Sequence, residues 1–148
     1  MTPDKLVRNF ARCNDWEQRY LYLIELGECM PRLDKAKQTE HYAMKGCQSQ
    51  VWIDQSYSEE TCTYQFEGHS DAAIVKGLVA LAIIAFNNQS ARQIVDFKIT
   101  GWFEQLELTQ HLTPTRSQGL LSIVTAIIEK ANQRLLSEAH LEPHHRIK

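Results

Sequence analysis

Apolar side chains along this chain recur with a helical period at both ends and with a period of two in a short central stretch. Leu6 and Phe10 lie four apart behind Thr2-Pro3. That spacing predicts a short helix with Thr2 as N-cap, Pro3 in its first position and Cys13 close to its end. Trp16, Tyr20, Leu23 and Ile24 continue the helical spacing after a D-x-x-Q cap at Asp15 and Gln18, with Gly27 as the C-terminal stop and Pro31 beyond it. Residues 28–50 lose all periodicity and end in Met44-Lys45-Gly46-Cys47-Gln48-Ser49-Gln50. A structureless run of that length is unusual inside a folded domain, and such loops are often functional. Then Val51, Ile53 and Tyr57 alternate with Trp52, Asp54 and Ser56. After Ser58-Glu59-Glu60, the set Cys62, Tyr64 and Phe66 alternates with Thr63, Gln65 and Glu67. Two such runs predict an antiparallel hairpin, closed by Gly68-His69.

Ser70-Asp71 is expected to cap a helix over about 71–86 whose body is apolar nearly all round. It is shorter than the roughly 20 apolar residues of a membrane span and contains Lys76, so it reads as a buried central helix. Asn87-Asn88 ends it. Ser90 and Gln93 cap a short helix, and Trp102, Phe103 and Leu106 mark a compact segment. Thr115 and Gln118 are the expected cap of a last helix carrying Leu120, Val124, Ile127, Ile128, Ala131 and Leu135 on one face. Helices flanking a block of strands without βαβ alternation make an α+β pattern: a small antiparallel sheet packed against helices. The expected organisation is one domain over 1–137 and a polar, His-rich tail over 138–148 that frays.

The 148 residues suit one domain, and 43% hydrophobic with 23% charged residues excludes a disordered chain. Sixteen Lys+Arg against 18 Asp+Glu give a net charge of −2, without the basic footprint of a duplex-binding protein. No nucleic-acid or membrane partner is expected. The N-terminus MTPDKLVRNF lacks the apolar core of an export signal, so a reducing cytosol is the expected compartment. The cysteines there are expected to be free thiols. The absence of CxxC argues against a zinc ribbon or a thioredoxin-type pair, and no metal or cofactor is assigned.

The cysteines are not equivalent. Cys13, Cys29 and Cys62 fall on or beside predicted helix and strand faces, where a cysteine is usually a small packing residue. Cys47 follows Gly46 at the end of the long loop and precedes a strand, a place suited to a reactive thiol. Lys45, His41 or the N-terminus of the helix after Ser70-Asp71 are the candidates to tune it. The residues by themselves leave three roles open: a sulfur carrier, a thiol enzyme reducing peroxide or disulfide, and a non-catalytic regulator.

The segment Gly46-Cys47-Gln48-Ser49-Gln50-Val51-Trp52 resembles the SufE family of sulfur-acceptor proteins. The likeness extends over WEQRYLYLIELG at 16–27, SDAAIVKGL at 70–78 and WFEQLELTQHLTPTRSQGL at 102–120, so it covers roughly residues 4–136 in one order. It implies a SufE/NifU-type α+β fold of about three strands, the third falling near 97–100 or within 38–45. It implies that Cys47 takes sulfur as a persulfide from a pyridoxal-phosphate cysteine desulfurase of the SufS or CsdA kind, stimulates that enzyme, and relays the sulfur to a Suf-type cluster scaffold. Gly46, Gln48, Ser49, Gln50, Ser70, Asp71, Lys76, Arg116, Gln118 and Gly119 are the implied docking residues. A monomer or weak homodimer fits. In one departure, relatives carry an acidic residue where this chain has His69.

Overall fold

Two caps written in the sequence start the first two helices. The Thr2 hydroxyl accepts from Lys5 N–H at 3.2 Å and opens α1 (Pro3–Ala11); Asp15 Oδ1 accepts from Gln18 N–H at 2.9 Å and opens α2 (Trp16–Cys29). The structure, a computed structural model, describes residues 1–141; most of the polar tail, 142–148, lies outside the described residues. Helix α2 does not stop at Gly27. That glycine is buried inside the helix, where a Cβ would sit 2.7 Å from the backbone nitrogen of Gly77. A Cβ on Gly77 would in turn run into the Leu23 carbonyl. The two glycines are there because the helix backbones touch.

The hairpin forms with β1 (Val51–Ser58) against β2 (Thr63–Ser70), in register from Val51↔Ser70 to Ser58↔Thr63. Val51, Ile53, Tyr64, Phe66 and Ser70 are buried on one face, while Trp52, Asp54, Glu67 and His69 occupy the other. The sheet has two strands among the described residues. Of the two places where a third was expected, 97–100 leads into a helix instead. Within 38–45, Ala43 makes one isolated bridge to Trp52. The chain before it explains why: after Arg32 pairs with Gly68 on the far edge of β2, two 3₁₀ turns (Lys35–Lys37 and Glu40–Tyr42) carry it across the outer face to the edge of β1. Lys37 pins this strap, its Nζ 3.0 Å from Asp54 and 3.9 Å from Glu67, which face each other across the strands. Residues 87–89 cover the rest of the β2 edge, with the Asn87 side chain accepting from Phe66 N–H. The β2 edge is thereby closed to pairing with another chain, while on β1 the chain before it covers only the start, at Val51 and Trp52.

Helix α3 (Ala73–Phe86) is buried along most of its length, with α2, the hairpin and the last helix packed around it. Short helices α4 (Ala91–Asp96, with the expected Ser90–Gln93 capping box), α5 (Ile99–Gln105) and α6 (Leu108–His111) lead to α7 (Pro114–Leu141). Thr113, not Thr115, caps α7: its hydroxyl accepts from Arg116 N–H at 3.2 Å, and Pro114 takes the first helical position. The helix passes the boundary expected after Ser137 and continues to Leu141.

Gly27→Ala is expected to lower stability by about 1–3 kcal/mol, the usual range for overpacking a closed contact. Urea denaturation reads this directly, and an unchanged midpoint would refute the close helix crossing.

Candidate functional site

The loop 45–50 is gripped at its base from two directions. Met44 N–H donates to the Val51 carbonyl at 2.8 Å. Gln50 is held by the end of β2: its carbonyl accepts from the Ser70 hydroxyl at 2.7 Å, and its N–H donates to Asp71 Oδ1 at 3.1 Å. Ser70 and Asp71 therefore do not act as the expected cap of α3, whose N-cap is Ala72. They are the latch of the cysteine loop, and buried Ser70 also accepts from Ala72 N–H.

Between these grips the loop lies down on α7. Gly46 has φ +87°, and a Cβ there would stand 2.6 Å from Ser122 Oγ. Both observations demand glycine. The next residue turns inward. Cys47 is half-buried, with Sγ 3.6 Å from the Gly119 carbonyl, beside a cavity of about 120 Å³. Ala72, Val75 and Leu78 of α3 and Leu120 and Ile123 of α7 supply its apolar wall; Gln48, Ser49 and Arg116 stand at its polar side. The volume far exceeds the ~10–15 Å³ that one water needs, so a group larger than the bare thiol fits.

Burial pushes the Cys47 thiol above its usual pKa. Removal from water disfavours the thiolate, so the thiol is quiet at neutral pH. Of the expected tuners, only the start of α3 reaches the recess, through Ala72 and Val75. Neither Lys45 nor His41 lines the recess, and His41 rests edge-on against Tyr42. Gly119 needs no special space, since a Cβ there would lie an ordinary 3.7 Å from Sγ. Its bareness leaves room around the sulfur.

The structure brings Gly46, Gln48, Ser49, Gln50, Ser70, Asp71, Arg116 and Gly119 around Cys47. Gln118 is exposed on α7, and its carbonyl accepts from Ser122. Lys76 turns away from the recess into a separate cleft with Arg32 and His69. Sequence reasoning missed Val75, Leu78, Leu120 and Ile123 as walls of the site, because their helical spacing marks only burial. Two of the other cysteines correct the packing expectation: Cys29 ends α2 exposed, and Cys62 is exposed in the hairpin turn with φ +57°. Cys13 is half-buried.

A family model described as SufE, Fe-S metabolism associated domain, matches residues 4–131. The chain belongs to the SufE family. Membership associates it with iron–sulfur metabolism. The fold is similar to the solution structure of a hypothetical protein from Thermus thermophilus, with a TM-score of 0.72 and 17% identity over 92% of this chain and 99% of that one. At that identity the likeness concerns the fold alone. Among the described residues, no helix is long and apolar enough to cross a membrane.

With iodoacetamide near pH 7, exposed Cys29 and Cys62 are expected to alkylate ahead of Cys47, and the Cys47 rate should keep climbing to higher pH than that of an unstructured thiol, as a raised pKa requires. Asp71→Ala, which removes the acceptor of Gln50 N–H, should speed Cys47 alkylation roughly two- to tenfold, the effect of losing one hydrogen bond of about 0.5–1.5 kcal/mol. Peptide mass spectrometry over a time course follows each thiol, and equal rates at all sites would exclude a sheltered Cys47.

Proposed function

We propose that this SufE-family chain is a sulfur acceptor and activator for a pyridoxal-phosphate cysteine desulfurase, and that Cys47 carries the sulfur. The observation that carries the reading is the sheltered thiol on a latched loop: Cys47 held against apolar side chains, with spare volume beside Sγ and a glycine before it. The pyridoxal phosphate belongs to the desulfurase, which strips sulfur from cysteine and holds it as a persulfide on its own thiol. The Cys47 thiolate attacks the outer sulfur of that persulfide. A new S–S bond forms at Cys47, the old S–S bond breaks, and the enzyme's cysteine leaves as a thiolate. No external oxidant or reductant is consumed. Unloading the enzyme frees it for another cycle, which is the stimulation.

Shelter and reactivity are reconciled by the latch. In the free protein the apolar recess withholds the thiolate and shields sulfur already loaded. When the loop leaves the recess for a partner's active site, the burial that raised the pKa is gone and the thiolate becomes available. The sulfur is then passed to an iron–sulfur cluster scaffold. This reading places the protein in a reducing compartment, the cytosol. A peroxide- or disulfide-reducing role asks for the opposite setting, an accessible thiol of lowered pKa.

Incubation with a cysteine desulfurase and cysteine, followed by intact mass without reductant, is expected to show addition of one sulfur atom that Cys47→Ser abolishes. Stimulation that survives Cys47→Ser would instead identify a regulator that carries no sulfur. Gly119→Ala is sterically allowed and should stabilise α7 by up to about 1 kcal/mol through helix propensity. It should nevertheless hold less sulfur, because the new methyl group takes space beside Sγ.

A further inference from the structure

A second cleft, of about 260 Å³, lies on the other side of the Ser70–Asp71 latch. Arg32 of the strap, His69 of β2 and Lys76 of α3 converge on it. Gly27 and Gly68 contribute backbone to its lining. Among the described residues, Glu28 is the one acidic residue lining it, set against the two permanent cations. Among the described residues neither Arg32 nor Lys76 makes an ion pair, so both charges face the cleft uncompensated by a salt bridge. The cleft thus gathers two cations and an imidazole against one carboxylate in a chain of net charge −2.

His69 registers that field. Its ring stacks on Trp52 with centroids 6.0 Å apart, and Nδ1 is buried without a hydrogen-bond partner. Burial lowers its pKa most, Lys76 and Arg32 lower it further, and Asp71 opposes them. With Nδ1 shut in, the remaining edge of the imidazole is the one that can meet a ligand. The charges facing it are those of Lys76 from α3, Arg32 from the strap, Asp71 at the end of β2 and Glu28 from α2.

We propose that the Arg32–His69–Lys76 cleft is a docking site for an acidic segment of the protein that delivers sulfur to Cys47, seating a carboxylate among the three basic side chains. The proposal rests on the sulfur-acceptor reading for the identity of the partner. Position argues for a protein carboxylate over a free anion. His69 is joined through Ser70 to Asp71, and those two residues hold Gln50 at the base of the cysteine loop. A partner gripping the cleft thus has the latch and Cys47 within the same contact. An arginine can bind a carboxylate through two parallel hydrogen bonds, and exposed charges of this kind chiefly raise association rate and choose the partner. A seated carboxylate favours the charged imidazole, so it moves the His69 pKa back upward. By linkage the segment binds more tightly as pH falls through the His69 titration.

The probe is a hexaglutamate peptide, titrated into the full chain and followed by the amide resonances of Gly68, His69 and Lys76 and by the His69 ring protons. Shifts confined to this cleft, a raised His69 pKa and weakening with salt are expected. In Arg32→Gln/Lys76→Gln, peptide affinity should fall about tenfold or more, and the desulfurase concentration for half-maximal sulfur loading should rise by a similar factor while maximal loading is unchanged. A matching urea midpoint certifies that the double variant is folded. Cys47→Ser should bind the peptide normally. Inorganic phosphate serves as the second arm: if it shifts the same resonances as strongly as the peptide, and the double variant loads sulfur like the wild type, the cleft serves a free anion and the proposal is overturned. Wild-type loading with no response to hexaglutamate overturns the cleft alone. A wild-type chain that takes up no sulfur sinks the Cys47 reading and, with it, the partner named here.

Discussion

Helix α3 is apolar nearly all round, and the rest of the molecule is arranged to keep it out of water. Each fully buried Leu, Ile, Val or Phe contributes on the order of 1.5–3 kcal/mol relative to exposure, so leaving even one side of α3 uncovered would forfeit much of a small domain's net stability. Three partners cover it. Helix α2 comes close enough for backbone contact at Gly27 and Gly77, the hairpin lays its buried face across it, and α7 closes the remaining side with Leu120, Ile123, Val124 and Ile127. The site is a by-product of that covering. Near the start of α3 the flanks of α3 and α7 do not meet fully, and the gap between Val75, Leu78, Leu120 and Ile123 is the recess that Cys47 enters.

A thiol in such a recess is controlled by solvation, not by a charged neighbour. Nothing ionic is needed to quiet Cys47, since withdrawal from water raises its pKa. Control therefore sits in whatever keeps the loop down: the Gln50 contacts to Ser70 and Asp71, and the left-handed turn at Gly46 over Ser122. Those interactions are few and, apart from buried Ser70, involve exposed or half-buried residues, the kind that open locally without unfolding the core. The strap across the outer face ends at the same place, because its bridge from Ala43 to Trp52 and the Met44–Val51 hydrogen bond fix the point where the cysteine loop can begin.

Several sequence signals mark the right residue for a different reason than the fold uses. Gly27 has the look of a helix stop and is a contact point, because a glycine needed for close approach and one needed for a C-cap look the same in a linear chain. Ser70-Asp71 has the form of an N-cap and becomes a latch, because β2 runs on to Ser70, three residues past its alternation, and leaves both side chains beside Gln50. Cys62 fits the alternation of a strand, yet the turn reaches it first and leaves it exposed at positive φ. Lys76 groups in sequence with the residues around Cys47 and faces the neighbouring cleft, since one step along a helix rotates a side chain by about 100°.

What the sequence determined by itself is what local chemistry decides. The caps at Thr2, Asp15 and Ser90, the hairpin, the burial of α3 and the family all follow from short-range patterns. Only the tertiary structure decided which apolar residues wall the recess, that the thiol is turned inward and its pKa raised, and that Arg32, His69 and Lys76 share a cleft. These depend on contacts between segments tens of residues apart. Periodicity reports that a side chain is buried, but what it is buried against is set by how the helices and the hairpin pack over α3.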